Sequence, residues 1–318
     1  MSATGVSKVR TASLSVASNT TLIVLKIAAG VITGSVALLT EAVHSTIDLL
    51  ASLVAFLSLR KADAPADASH PYGHEKLENL SAAAEGLLIL IGAAVIVYES
   101  VHRLIHGAHV HSLGVGIGVI AISAVTNLGV STVLGRRARR TRSAALEGDA
   151  AHLRTDAATS LAVFAGLIAV QATGKGWLDP AVALAVALAI VVSGVRLLSR
   201  SSRVLVDEAL PPDELEAIRE TVVGFGPSRG VAGFHRLRAR RAGARRHIDL
   251  HVQFRAGTSL EDAHRLAHEL QDAIADRLGD TDVLIHLEPE DRVKPGTELP
   301  EDVHRARRRT GAPDGDGG

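Results

Sequence analysis

The sequence predicts an α-helical membrane domain with six transmembrane helices, followed by a small soluble α+β domain. The 318 residues are 47% hydrophobic, and the mean hydropathy is positive. Apolar residues dominate the first two thirds of the chain and charged residues the last third. A bilayer core about 30 Å thick requires roughly 20 mostly apolar helical residues. Six such stretches lie within residues 1–206, at about 12–33, 36–59, 79–101, 112–134, 148–171 and 180–199.

Basic residues predict how this domain is oriented, because cytoplasmic loops are enriched in lysine and arginine. They are densest between the fourth and fifth stretches, from Arg136 to Arg142, and they recur before the first, after the second and after the sixth. The loops on the opposite side hold only Arg103 and Lys175. We therefore expect both termini in the cytoplasm.

Composition excludes several classes of function. The chain has no cysteine, so disulfides, thiolate zinc fingers, iron–sulfur clusters and cysteine nucleophiles are ruled out, and copper(I) is a poor cargo. The formal net charge is zero, which gives no basic field for nucleic acid. We expect no nucleic-acid partner and no organic cofactor.

Residues 207–290 have the pattern of a soluble domain with the element order α-β-β-α-β, as in ferredoxin-like or metallochaperone-like folds. The second strand alternates apolar and polar residues, and Thr258 with Glu261 fits a capping box at the start of the second helix. Residues 291–318 are polar and predict a disordered tail. The five predicted elements are Glu214–Val223, Phe234–Arg240, His247–Phe254, a helix ending near Leu278, and Asp282–Leu287.

A short internal repeat carries the chemistry of the membrane domain. Residues 41–48 and 149–156 align when shifted by 108 positions. Each copy places a histidine and an aspartate four positions apart, which puts both side chains on one helix face. The four residues are His44, Asp48, His152 and Asp156.

Helix geometry predicts that these two pairs lie at a similar depth. At about 1.5 Å per residue, Asp48 lies roughly 18 Å from Arg60, and Asp156 roughly 21 Å from Arg142. Ionisable groups at such depth are costly, by about 2.5–3.5 kcal/mol each, unless they are paired or coordinated. Two hydrogen-bonded structural pairs are one interpretation. The other is a metal site, because two imidazoles and two carboxylates complete a tetrahedral set for Zn²⁺.

The paired motifs resemble those of the cation diffusion facilitator family. The runs from Gly34 to Ala42 and from His70 to Glu78 resemble the same family. The resemblance spans about residues 10–290. It implies a homodimer in the lipid bilayer that exports divalent metal from the cytoplasm, usually in exchange for protons, through the site on the second and fifth helices.

The His/Asp pairs resemble those of zinc-selective members, so Zn²⁺ is the expected cargo and also an expected regulator. Fe²⁺, Co²⁺, Cd²⁺ and Mn²⁺ stay open as alternative substrates, as does a metal-sensing membrane protein without transport. A membrane zinc protease is disfavoured because the strings that begin at His74 and His268 lack the second histidine of His-Glu-x-x-His. Composition favours a bacterial plasma membrane.

The resemblance also implies two further metal sites and a charge pair. A loop site would use Asp67, His70 and His74, and the alternative is a solvated loop in which His70 and Pro71 set a turn. A cytoplasmic site would use His235, His251, His264, His286 and Glu288, and the alternative is an unrelated surface cluster. A charge pair of Lys76 and Asp207 would act where the helices meet the soluble domain.

Overall fold

The computed structural model describes residues 3–33, 36–106, 114–226 and 229–290. The chain divides into two compact units, Met1–Val206 and Asp207–Gly318. The predicted disordered tail, 291–318, lies outside the described residues.

The first unit contains six long helices within its described residues. Three of its helical segments are long and apolar enough to cross a membrane, namely Lys8–Ala29, Lys76–His106 and Leu178–Leu205. The fifth helix carries four charged residues, Glu147, Asp149, Arg154 and Asp156. The helices are α1 (Ala3–Thr33), α2 (Val36–Ala62), α3 (Lys76–His106), α4 (Gly114–Thr141), α5 (Ala144–Thr173) and α6 (Leu178–Leu205).

Small residues set the packing of the first unit. Helix α3 packs most extensively against α6, α1 against α2, and α4 against α5. A Cβ added at Gly86 or Gly194 would lie 3.0 Å from Leu198 and from Leu90 respectively, so glycine is what allows α3 and α6 to approach closely. Helix α5 also contacts α2, α3 and α6, which makes it the element where polar side chains from several helices meet.

The second unit is a small mixed sheet with two helices, in the order α-β-β-α-β. The sheet order is β1-β2-β3. Strands β1 and β2 are antiparallel, whereas β3 follows the helical crossover and pairs parallel to β2. The elements are α7 (Pro212–Gly224), β1 (Val231–Ala242), β2 (Arg245–Phe254), α8 (Leu260–Leu278) and β3 (Thr281–Pro289).

The alternation in β2 places its apolar side chains in the core of this unit. Ile248, Leu250, Val252 and Phe254 are all at most 4% exposed and pack in one cluster with apolar residues of α7 and α8. His251 therefore lies on the other face of the sheet.

The predicted cap of α8 is wrong by one residue. Ser259, not Thr258, is the N-cap, and its hydroxyl accepts a hydrogen bond from the backbone N–H of Asp262 at 3.0 Å. The Ser259 hydroxyl also donates to Asp262 Oδ2 at 2.7 Å. Serine and threonine are both good N-caps, so the sequence pattern alone does not choose between adjacent ones.

Candidate metal centres

Three side chains meet between α2 and α5 in the first unit. His152 Nε2 lies 3.2 Å from Asp48 Oδ1 and 3.9 Å from Asp156 Oδ2. The three side chains are only 10%, 11% and 18% exposed respectively, and one ligand atom from each lies within 4.8 Å of the others. This arrangement fits a shared cation, because one imidazole and two carboxylates are three of the four ligands that Zn²⁺ takes.

Helix periodicity explains how this cluster forms. His152 and Asp156 are four residues apart on α5 and so share one face. Asp48 comes from α2, which contacts α5. His44 lies one turn before Asp48 on α2, but its side chain is outside the described residues. Its role as the fourth ligand stays a prediction.

Asp67, His70 and His74 form a second cluster in the connection between α2 and α3. Asp67 Oδ1 lies 3.3 Å from His70 Nδ1, and Asp67 Oδ2 lies 3.2 Å from His74 Nε2. His74 is buried, while the other two are exposed. Hydrogen bonds from the Ser69 hydroxyl and from the His70 backbone hold the pKa of Asp67 well below its usual value, which keeps this carboxylate ionised and able to bind a cation.

The third cluster lies on the sheet of the second unit. Glu288 Oε2 is 2.8 Å from His235 Nε2, and Glu288 Oε1 is 2.8 Å from His251 Nδ1. His235 and Glu288 are buried, and the two imidazole centroids are 5.0 Å apart. Adjacent strands present these side chains on the face opposite the apolar core, so one carboxylate joins two imidazoles at a single point.

The other two histidines predicted for the cytoplasmic site lie differently. His286 lies beside His251 with the two rings tilted and their centroids 4.6 Å apart, and its Nε2 is 3.8 Å from Glu288 Oε1. Its side chain is 64% exposed. His264 lies on α8 beside His268, and their Nε2 atoms are 3.2 Å apart. The structure therefore brings His286 next to the cluster and pairs His264 with a residue that the sequence did not single out.

Lys76 and Asp207 belong to different units. The Lys76 ammonium donates to the backbone oxygen of Leu205 at 3.4 Å, and Asp207 accepts from Arg240 at 3.2 Å. The predicted charge pair between them stays a prediction.

Two buried carboxylates near Asp48, His152 and Asp156 were not among the predicted metal ligands. Asp149 is 1% exposed and so is Glu85. Asp149 opens the second copy of the internal repeat, and the first copy also opens on an acidic residue, Glu41. The acidic residue at the same position of both copies was the sequence signal that could have identified Asp149.

The chain matches two family models. One describes a cation efflux transmembrane domain and matches residues 12–206. The other describes a cation efflux protein, cytoplasmic domain, and matches residues 210–290.

Curated relatives match over most of their length. An uncharacterized transporter of Synechocystis sp. is 37% identical over 265 residues, which is 83% of this chain and 85% of the relative. The cation-efflux pump FieF of Salmonella arizonae is 34% identical over 270 residues, 84% of this chain and 88% of the pump.

Two solved structures each match about a quarter of this chain. A chain of CzrB in its zinc form is 40% identical, with a TM-score of 0.26, and the match covers 28% of this chain and 98% of that one. The metal-bound C-terminal domain of the CzcD transporter from Thermotoga maritima is 28% identical, with a TM-score of 0.23. That match covers 27% of this chain and 100% of the CzcD domain.

Proposed function

This chain belongs to the cation efflux family of divalent metal transporters, and we propose that it exports Zn²⁺ in exchange for protons. The observation that carries the proposal is the buried cluster of Asp48, His152 and Asp156. Ionisable groups buried on two membrane helices are costly unless they are paired or coordinated, and a bound cation would coordinate all three. A transporter would retain these costly residues because they bind the ion that it moves.

The donor set supports zinc among the divalent metals. Imidazole suits Zn²⁺ and neighbouring transition metals, whereas sites made only of carboxylates and water suit Mg²⁺, Ca²⁺ or Mn²⁺. The predicted fourth ligand, His44, would make the site two imidazoles and two carboxylates. Co²⁺, Cd²⁺, Fe²⁺ and Mn²⁺ are the competitors to test against zinc.

Proton exchange follows from the chemistry of the same ligands. Histidine must be neutral and aspartate ionised to bind metal, so metal binding releases protons and protonation releases metal. His152 is the ligand whose ordinary pKa lies nearest to physiological pH. Alternating exposure of the cluster to the two sides of the membrane would then couple outward metal movement to inward proton movement.

The remaining parts of the proposal concern topology and regulation. Six spans with both termini in the cytoplasm agree with the basic residues between α4 and α5. We propose a bacterial plasma membrane as the location. We propose that two copies form a homodimer through the cytoplasmic domain. Zinc at His235, His251 and Glu288 would favour one dimer geometry and so link transport to metal supply.

Flux into proteoliposomes tests the transport proposal. Vesicles with the purified chain should accumulate Zn²⁺ and release protons when an inward-directed zinc gradient is applied. Asp156→Asn should lower the zinc flux about 100-fold, because it removes a charged ligand. Asp179→Asn makes the same change at the first turn of α6 and should leave flux unchanged.

Two outcomes would contradict the proposal. Zinc flux that persists in Asp156→Asn would remove the cluster from the transport path. Zinc binding without any flux in the unmodified chain would favour the metal-sensing alternative, which the cluster on the cytoplasmic sheet supports.

A further inference from the structure

We propose that the buried carboxyl groups of Glu85 on α3 and Asp149 on α5 together retain one proton and form a protonation site distinct from the metal ligands. The role of this proton in transport rests on the proposed function, whereas the presence of the proton is tested separately. Both residues are buried in the first unit, at 1% exposure each.

Glu85 is a buried carboxyl group with no hydrogen-bond partner among the described residues. Both of its side-chain oxygens are inaccessible to solvent and lack a hydrogen-bond partner there. An isolated ionised carboxylate without water or a donor is very costly inside a protein. A bound proton removes that cost.

The position of Glu85 is set by a glycine on the neighbouring helix. Its carboxyl group lies against Gly148 on α5, and a Cβ added there would collide with Glu85 Oε2 and lie 3.1 Å from the Ala82 Cα. Gly148 precedes Asp149 directly. The sequence thus keeps space on α5 for an acidic side chain from α3, next to a second acidic residue.

Asp149 is hydrogen-bonded on one oxygen only. Its Oδ1 accepts from the Ser15 hydroxyl at 2.9 Å and from the Ser52 hydroxyl at 3.0 Å. Its Oδ2 is buried and has no hydrogen-bond partner among the described residues. Asn19 Nδ2 donates to Ser52 Oγ at 2.9 Å. Neutral donors from α1 and α2 thus satisfy one oxygen and leave the other for a proton.

Among the described residues, the group that acts on both carboxyl groups with opposite charge is His152, and its Nε2 already lies 3.2 Å from Asp48 Oδ1. The charged groups that act on Glu85 are Asp149 and His152, both on α5. On α6, Leu198 packs against the neighbouring Gly86, while α1 and α2 contribute the hydroxyl groups of Ser15 and Ser52. Two carboxyl groups buried near each other resist double ionisation, so at least one of them retains a proton.

A proton fits this pair better than a metal ion does. In the part of the chain that the structure describes, three groups offer three or more metal ligands within 4.8 Å of one another, and none of them contains Glu85 or Asp149. Two carboxyl groups do not complete the four-ligand set of zinc. We therefore assign a proton, and not a metal ion, to Glu85 and Asp149.

The pair is placed to respond to the metal site. Asp149 lies three residues before His152 on α5, and Ser52, which donates to Asp149, lies four residues after Asp48 on α2. A divalent ion arriving at Asp48 and His152 repels a proton held one helical turn away. The O–H bond of the carboxylic acid breaks, the proton leaves to water, and the carboxylate that remains is balanced by the metal charge.

Infrared spectroscopy detects the proton directly, without any transport. The purified chain at neutral pH should show the C=O stretching band of a protonated carboxylic acid, and Glu85→Gln should remove it. Glu99→Gln makes the same change at an exposed position of α3 and should retain the band. Asp149→Asn should shift the band, because an amide replaces the acid beside Glu85. An unchanged band in Glu85→Gln would overturn the proposal.

Proton release on metal binding tests the coupling. In weakly buffered solution, Glu85→Gln should bind zinc but release about one proton fewer per bound ion than the unmodified chain and Glu99→Gln. Glutamine resembles the protonated acid in shape and charge, so the variant is expected to fold. Equal proton release would overturn the coupling, whereas loss of zinc binding in the unmodified chain would instead overturn the proposed function.

Discussion

The membrane cluster (Asp48, His152 and Asp156) and the cytoplasmic cluster (His235, His251 and Glu288) use the same two side-chain types in opposite proportions. The membrane cluster joins one imidazole to two carboxylates, Asp48 and Asp156, whereas the cytoplasmic cluster joins two imidazoles to one carboxylate, Glu288. Two carboxylates cancel the charge of a divalent ion, and one does not. A neutral complex suits a low-dielectric membrane, and a charged complex is tolerated beside water.

The frameworks differ as much as the charges. In the cytoplasmic unit, His235 pairs with His251 across β1 and β2, and His251 pairs with His286 across β2 and β3. Backbone hydrogen bonds therefore fix the spacing of that cluster. In the membrane unit, Asp48 and His152 lie on separate helices and meet through side chains. Helices joined in this way can move apart, which an alternating-access site requires and a sensor does not.

The largest expected difference between the clusters is in zinc flux. Asp48→Asn should lower the flux into proteoliposomes about 100-fold, since it removes a ligand and the charge balance of the membrane site. Glu288→Gln removes the equivalent charge from the cytoplasmic site and should lower the flux less than threefold at saturating zinc. Equal losses in the two variants would show that the clusters do not have separate roles.

Metal selectivity should change next most strongly. His152→Asp replaces the only described imidazole of the membrane cluster with a hard oxygen ligand, which should favour Mn²⁺ over Zn²⁺ by about tenfold. Competition between the two ions for flux measures the ratio. The matched change in the cytoplasmic cluster, His251→Asp, should leave the flux ratio as it was.

Affinity of the cytoplasmic cluster should fall more modestly. His251→Ala leaves His235 and Glu288 as ligands and should weaken zinc binding to this unit about tenfold. Calorimetric titration of the full chain should show one class of zinc site with weakened affinity. The zinc flux at saturating zinc should be retained. A weakened class that belongs to the membrane site would contradict the separation of the two clusters.

The smallest predicted effect concerns stability of the cytoplasmic unit alone. Glu214 on α7 accepts from Arg246 at 3.0 Å, and Arg246 followed by Arg241 lowers the pKa of Glu214 to about 2. Glu214→Gln should reduce the free energy of unfolding by about 1–2 kcal/mol at neutral pH. A group with a lowered folded pKa stabilises above its unfolded value, near 4.5, and the contribution is lost as pH falls towards 2.

Denaturant unfolding of the full chain at pH 7 and pH 3 checks this prediction. The difference between Glu214→Gln and the unmodified chain should be largest at pH 7 and should shrink at pH 3. A difference that does not depend on pH would assign the effect to packing. Glu216→Gln, on the same helix, is the control and should match the unmodified chain.

Periodicity in the sequence was enough to predict one part of the membrane cluster. The spacing of His152 and Asp156 specifies a shared helix face, and the internal repeat specifies a second helix with Asp48. Strand alternation likewise predicted that His251 faces away from Leu250. Local patterns of this kind depend only on the geometry of one element.

The position of Glu85 against Gly148, next to Asp149, was not predictable in the same way. It depends on the register of α3 against α5 and on the space left by Gly148, and both are properties of the packed helices. The separation of His264 from His235 has the same origin, because α8 and β1 are placed by the core of the unit.

The position of bound zinc tests the central claim most directly. Anomalous diffraction at the zinc absorption edge, on crystals of the full chain grown with Zn²⁺, should give a peak between Asp48, His152 and Asp156. The peak should persist in His251→Ala and disappear in Asp48→Asn. Zinc found only at the loop and cytoplasmic clusters, in protein that transports zinc into vesicles, would contradict the assignment of the transport site.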